Sequence, residues 1–134
     1  MTSPPPGASP LILIVDDYEK NRRLARDVLR AAGFRTLEAA SGDEAIALAE
    51  QHVPAVILMD VRLPDMDGAD VARRLGEAAR TARIPVVALT ALRVDDDWFL
   101  AAGFAGYLAK PISVGSFADQ VRGYCAARGA STPQ

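Results

Sequence analysis

The 134 residues are the size of one ordinary domain, and with half of them apolar a single core forms without disulfide or metal staples. Fifteen Lys and Arg against seventeen Asp and Glu leave a formal charge of −2 with no Lys/Arg-rich run, which excludes the basic face of a dedicated nucleic-acid binder. The lone cysteine, Cys125, excludes an internal disulfide framework; no run reaches the ~18 apolar residues of a membrane span; and MTSPPPGASP lacks the flank and core of a signal peptide, so a cytoplasmic location is expected.

In chain order, residues 1–10 are rich in Pro, Ser and Gly and are expected to be a disordered leader. A domain over 11–127 and a disordered tail over 128–134 follow. Leu11 to Val15 is a continuous apolar run ending at two acids. Residues 19–32 place Leu24, Val28, Leu29 and Ala32 at helical spacing, and Gly33 stops the helix. Phe34 to Ala39 alternates and reads as a half-exposed edge strand. Ser41 caps a helix to about Gln51, with Ala45, Ile46, Leu48 and Ala49 facing inward. Ala55 to Met59 is a second continuous apolar run. A loop with Pro64 and Gly68 leads into a helix over 68–79. Ile84 to Leu89 is the next buried strand, with Pro85 tolerable near its start. A shorter helix over 95–102 ends at Gly103, Ala105 to Ala109 is a short fifth strand, and 113–127 form the last helix with Val114, Phe117, Val121 and Tyr124 or Cys125 inward.

Five strands alternating with five helices predict an α/β fold: a three-layer, doubly wound parallel sheet. Continuous apolarity in three strands fits burial on both faces, and the alternating run fits an edge. The flavodoxin-like order 2-1-3-4-5 satisfies the right-handed crossover rule. Ligands of such sheets bind beyond the carboxyl ends of the strands where the order reverses, here between the first and third. The first strand delivers Asp16 and Asp17, the third Asp60, the fourth Thr90 and the fifth Lys110, followed by Pro111. A loop can be polar for no chemical reason, but here each strand of the switch region ends on a group useful for chemistry.

Two carboxylates at ~4 Å repel by about 4 kcal/mol at an effective dielectric near 20, so a cluster of three must be relieved by a proton or a cation. Hard oxygen donors on an open rim suit Mg²⁺, which keeps several waters and takes few carboxylates. Zinc is disfavoured because no Cys or His lies near. A carboxylate nucleophile, a divalent ion and a fixed ammonium together suit phosphoryl transfer.

The segments LILIVDD, VILMDVRLPDMDG, VVALTA and GYLAKPIS, in that order, resemble the receiver domain of response regulators, the CheY-like superfamily, over roughly residues 10–127. DDYEKNRRL and KPIS look most like receivers of hybrid kinases and stand-alone cell-cycle regulators. The resemblance implies a regulatory protein of a two-component or phosphorelay system rather than an enzyme. Asp60 would be the phosphoacceptor. Asp17, Asp60 and the backbone carbonyl of Arg62 would ligate Mg²⁺ (or Mn²⁺), with Asp16 helping through water. Thr90, the Ala91 N–H and Lys110 would bind the phosphoryl group, Thr90 and Tyr107 would form the switch, and the Lys110–Pro111 peptide would be cis. The implied partners are a histidine kinase or phosphotransfer protein and a downstream protein on the face of the fourth helix, fifth strand and fifth helix. Neither nucleic acid nor membrane is implied, and a monomer or weak dimer is expected. With no room for an output domain after residue 127, a single-domain regulator is expected.

Rival readings fare worse. A flavin site of the same fold wants Ser, Thr and Gly after the first strand, where this chain has DDYEKN. A haloacid-dehalogenase-type phosphatase wants an acid two residues past its nucleophile, where Arg62 stands. A degenerate receiver, acting as a phosphorylation-independent interaction module, would not need all five site residues. His52, the only histidine, reads as solvent-exposed, and Arg22, Arg23, Arg26 and Arg30 read as a solvated helix face.

Overall fold

Apolar runs of five residues cannot leave either side to water, and the fold buries both. The computed structural model describes residues 10–61, 63–90, 100–110 and 112–130. Its elements are β1 (Leu11–Val15), α1 (Glu19–Ala31), β2 (Arg35–Ala39), α2 (Gly42–His52), β3 (Val56–Asp60), α3 (Gly68–Glu77), β4 (Val86–Thr90), β5 (Gly106–Ala109) and a C-terminal helix (Phe117–Ala130). The strands pair in parallel in the order β2-β1-β3-β4-β5, as the alternation predicts. Of the short helix expected over 95–102, residues 95–99 lie outside the described residues. Its end is described: Leu100 is helical, and Gly103, at a φ of 100°, turns the chain in the left-handed region that costs glycine nothing.

Successive strand residues point to opposite faces, and two cores result. Leu13, Val15, Ile57, Met59, Val86 and Ala88 face α2 and α3, where Ala45, Ala49, Val71, Ala72 and Leu75 meet them. Ile12, Ile14, Val56, Leu58, Val87, Leu89 and Leu108 face α1 and the C-terminal helix, where Ala25, Leu29, Phe117 and Val121 meet them. β2 behaves as the edge its alternation implies. Leu37 and Ala39 join the first core and Phe34, just before the strand, joins the second.

Two inward assignments are corrected. Leu24 is 41% exposed and Ala25 takes its place in the core. The inward stripe of α1 runs Ala25–Leu29, and Leu24 sits on its shoulder, at the rim of a small pocket with Ile14, Asn21, Leu89 and Ile112. Val114 is 64% exposed. The Ser113 carbonyl accepts from the N–H groups of Ser116 and Phe117, so a turn occupies 114–116 and the helix begins at Phe117, four residues later than the start expected at 113. Ser41 caps α2 as expected, its side chain accepting from the Glu44 N–H at 3.2 Å. The Glu44 carboxylate accepts in return from the Ala40 N–H at 2.7 Å, a reciprocal arrangement close to a capping box. His52 is exposed. Among the described residues, no helix is long and apolar enough to cross a membrane.

Candidate functional site

Parallel strands end together, so the residues just past each strand meet at one rim. The apolar stretch of β1 stops at Asp16, that of β3 at Asp60 and that of β4 at Thr90, because beyond these points the helical layers no longer cover the sheet. Asp16 is 1% exposed, Asp17 is exposed and Asp60 is intermediate. One carboxylate oxygen from each of the three lies within 4.8 Å of the others. Lys110, just past β5, places its Nζ 3.1 Å from Asp16 Oδ2 and 3.1 Å from Asp60 Oδ2. Its backbone N–H donates to the Thr90 carbonyl at 2.9 Å, which ties the lysine to the end of β4. Thr90 is buried at the same rim.

The charges explain each other. Burial, the largest single influence on Lys110, favours the neutral amine, but the hydrogen bond and charge of Asp60 and those of Asp16 together outweigh it and raise the ammonium pKa above its ordinary value. Three carboxylates against one ammonium leave a formal charge of minus two, which one divalent cation cancels. Hard oxygen donors, partial exposure and that residual charge fit Mg²⁺.

Asp16 is held on every side. Its N–H donates to the Ala39 carbonyl at 3.1 Å, its Oδ1 accepts from the Tyr18 N–H at 2.9 Å, and its carbonyl accepts from Arg22 Nη1 at 2.8 Å. For Arg22 and Arg26 this corrects the reading of the helix arginines as a solvated face; Arg23 and Arg30 are exposed, as that reading has it. Arg22 and Arg26 both reach Glu38 of β2, and Arg30 donates to the Thr36 hydroxyl at 2.8 Å. They cover the polar row of the edge strand, and Arg23 alone of the four keeps to an exposed pairing within the helix, with Glu19.

The loop after β3 is anchored by a residue that sequence reading passed over. The Asp65 carboxylate accepts from the N–H groups of Gly42 and Asp43 at 2.8 and 2.9 Å, so it caps α2 from another segment. These bonds, Gly42's first, hold its carboxyl below the usual carboxylate range. A depressed folded pKa gives stability present above the unfolded value and lost as pH falls through the folded one. Asp65→Ala is therefore expected to lower the melting temperature by a few degrees at neutral pH. The gap to the wild type should narrow once the pH drops below 3.8, the ordinary value; thermal melts from pH 3 to 7 check it.

Gly68 starts α3 against the backbone of the same loop. A Cβ there would lie 2.7 Å from the Asp60 carbonyl oxygen and 3.1 Å from Val61 Cα, and main chain cannot step aside as a side chain can. Gly68→Ala should cost about 1–3 kcal/mol in chemical denaturation, and it should weaken Mg²⁺ binding, since the strain falls on Asp60 itself.

Of the residues singled out from sequence, Asp16, Asp17, Asp60, Thr90 and Lys110 share this rim. Tyr107 stands apart on β5, 37% exposed. Arg62, Ala91 and Pro111 lie outside the described residues. Arg22 and Asp65 are the supporting residues that sequence reading did not identify. The signal for Asp65 was an acid in a loop, too common to single out.

A family model described as the response regulator receiver domain matches residues 12–122. The polar-differentiation response regulator DivK of Brucella ovis is 38% identical over 115 residues, covering 84% of this chain and 94% of DivK. The receiver domain of sensor histidine kinase PA1611 from Pseudomonas aeruginosa, solved with a magnesium ion coordinated in its active-site cleft, is similar with a TM-score of 0.80 and 33% identity, covering 89% of this chain and 99% of that one. The chemotaxis response regulator CheY4 of Vibrio cholerae gives a TM-score of 0.81 at 26% identity, over 87% and 99% of the two chains. Fold, acidic rim and sequence thus agree, and the chain belongs to the response regulator receiver domain family, whose members work with histidine kinases as regulators of signalling rather than as enzymes.

Proposed function

We propose that Asp60 accepts a phosphoryl group from a phosphohistidine, on a histidine kinase or a phosphotransfer protein, in a reaction that needs Mg²⁺ or Mn²⁺. The observation that carries this is the shared contact of Lys110 with Asp16 and Asp60 beside Asp17. An ammonium, a buried acid and a second acid converge on the one carboxylate at the end of β3. Asp17, Asp60 and the Arg62 carbonyl would hold the ion, with Asp16 acting through a water, and magnesium in the PA1611 receiver domain supports that choice. The ion would neutralise charge on the transferring group.

The chain's own residues do the rest. A carboxylate oxygen of Asp60 forms the new bond to phosphorus as the bond to the donor's imidazole nitrogen breaks, and the nitrogen keeps that electron pair. Lys110 is held at the rim before any phosphate arrives, so its charge needs no reorganisation when phosphoryl oxygens take the place of its carboxylate contacts. Thr90 and the Ala91 N–H would donate to the phosphoryl oxygens. Drawing Thr90 toward them would free space for Tyr107 to turn, changing the face of the fourth helix, fifth strand and last helix that a downstream protein would read. The receiver domain over 11–127 would carry all of this.

Incubation of the whole chain with acetyl phosphate and Mg²⁺, followed by intact mass and peptide mapping, tests the reading. One added phosphoryl group on the peptide containing Asp60, absent in EDTA, is expected. No added mass would favour instead a receiver that binds partners without phosphorylation.

A further inference from the structure

The acid pair after β1 hangs from one peptide link, and that link is gripped. Its carbonyl oxygen, that of Asp16, takes the Arg22 Nη1 bond at 2.8 Å, while Nε of the same guanidinium donates to Glu38 Oε1 at 3.3 Å. The Arg22 side chain is only 17% exposed, although it starts from an outer turn of α1. Glu38 stands opposite Ile14 in the pairing of β2 with β1 and is also bound by Arg26 at 3.5 Å, so it is fixed from two sides. The other contacts of Asp16 hold its N–H and its carboxylate. The Arg22 contact bears on the plane of the peptide that joins Asp16 to Asp17, and that plane decides where Asp17 points. Asp17 itself is exposed, with no burial to orient it.

We infer that Arg22 is a positioning residue for metal binding: its planar fork, braced on Glu38, fixes the Asp16–Asp17 peptide so that both carboxylates address the same ion. The inference rests on the reading of the rim as a Mg²⁺ site. A guanidinium suits the task because its donors are rigidly splayed and can serve a carbonyl and a carboxylate at once, whereas an ammonium on a flexible stem cannot reproduce the fork. Metal sites depend on such supporting contacts because small errors in ligand direction are enough to weaken coordination.

The sign of the effect separates this role from two simpler ones. A positive charge near the acids repels a cation, so if Arg22 acted through charge alone, removing it would tighten Mg²⁺ binding. If it served only stability, its loss would lower the melting temperature and leave affinity unchanged. Positioning predicts weaker binding even when a positive charge is removed.

Calorimetric titration of the full chain with MgCl₂, with melting in EDTA alongside, distinguishes them. Arg22→Lys, which keeps the charge, should weaken Mg²⁺ binding about 10-fold. Arg22→Gln should weaken it as well, and Glu38→Gln by a few-fold. Should the Arg22 variants fail to fold, Glu38→Gln, which keeps the side-chain shape, answers the question when its affinity is measured in about 0.5 M KCl, where the loss of a distant charge is screened and a positioning defect persists. Tighter binding by Arg22→Gln, or wild-type affinity in all three variants whatever their melting temperatures, would overturn the inference. Asp17→Asn serves as the control for the site. If the wild type takes up no Mg²⁺, or Asp17→Asn binds it as well as the wild type does, the metal reading falls and the inference with it. If the control behaves and the Arg22 and Glu38 variants do not, only the inference falls.

Discussion

Asp60→Ala is expected to gain no phosphoryl group from acetyl phosphate under conditions where the wild type gains one, to lose at least tenfold in Mg²⁺ affinity, and yet to melt higher than the wild type in EDTA. The first two follow from removing the nucleophile and an ion ligand together. The third follows from charge. At an effective dielectric near 20, the Lys110 contact at 3.1 Å attracts Asp60 by about 5 kcal/mol. Each of the two neighbouring carboxylates, within 4.8 Å, repels it by about 3 kcal/mol or more. Two repulsions exceed one attraction, and desolvation of a half-buried carboxylate adds to the imbalance. The metal-free protein should therefore gain about 1–2 kcal/mol on losing Asp60, while saturating Mg²⁺, which stabilises only a protein that binds it, should raise the wild type more than the variant. Intact mass, calorimetric titration and melts with and without Mg²⁺ check the three parts separately. A variant that melts lower in EDTA would show that the acids of the rim are not in conflict.

Lys110→Met should do the reverse to stability and nearly as much to chemistry. Phosphorylation of Asp60 is expected to slow by about 10²–10³-fold, the usual cost of removing one preorganised charge from a transferring group. In EDTA the variant should lose about 3–5 kcal/mol, because Asp16, almost without solvent contact, is left with no ammonium. Mg²⁺ should restore part of that loss and should bind more tightly than to the wild type, since the cluster has gained one formal negative charge. Single-turnover mass spectrometry and urea unfolding with and without Mg²⁺ measure both. The wild-type contribution of Lys110 depends on pH in a definite direction. Its folded pKa is raised above 10.5, so the stabilisation is complete below that value and disappears as the pH climbs through the folded one.

What could be read from sequence divides along a physical line. Strand ends were legible because an apolar run that stops at a polar residue leaves little choice about where that residue goes, and Asp16, Asp60 and Thr90 lie where that argument puts them. Lys110 follows from the same rule applied to β5. Helix faces were legible only in outline: spacing gave the stripe of α1 but put Leu24 inside, since a shoulder position and a core position differ by one residue in a turn. The start of the last helix was misplaced at Ser113, with Val114 turned inward, because a turn held by a backbone carbonyl leaves no mark in side-chain pattern. Arg22 and Asp65 were out of reach for a third reason. Each acts on a segment well removed in sequence, Glu38 of β2 and the first N–H groups of α2, and no local pattern announces a partner across the fold.

At the far edge of the sheet, Gly106 of β5 leaves room for Tyr124 of the C-terminal helix, whose hydroxyl occupies the space a Cβ would take. Burial, and after it the nearness of Tyr107, raises the Tyr124 phenol pKa above its ordinary value, so the ring stays neutral and seated. Helix and edge strand are thereby keyed like tongue and groove. Sliding one along the other would drive the ring into main chain, so this border resists shear.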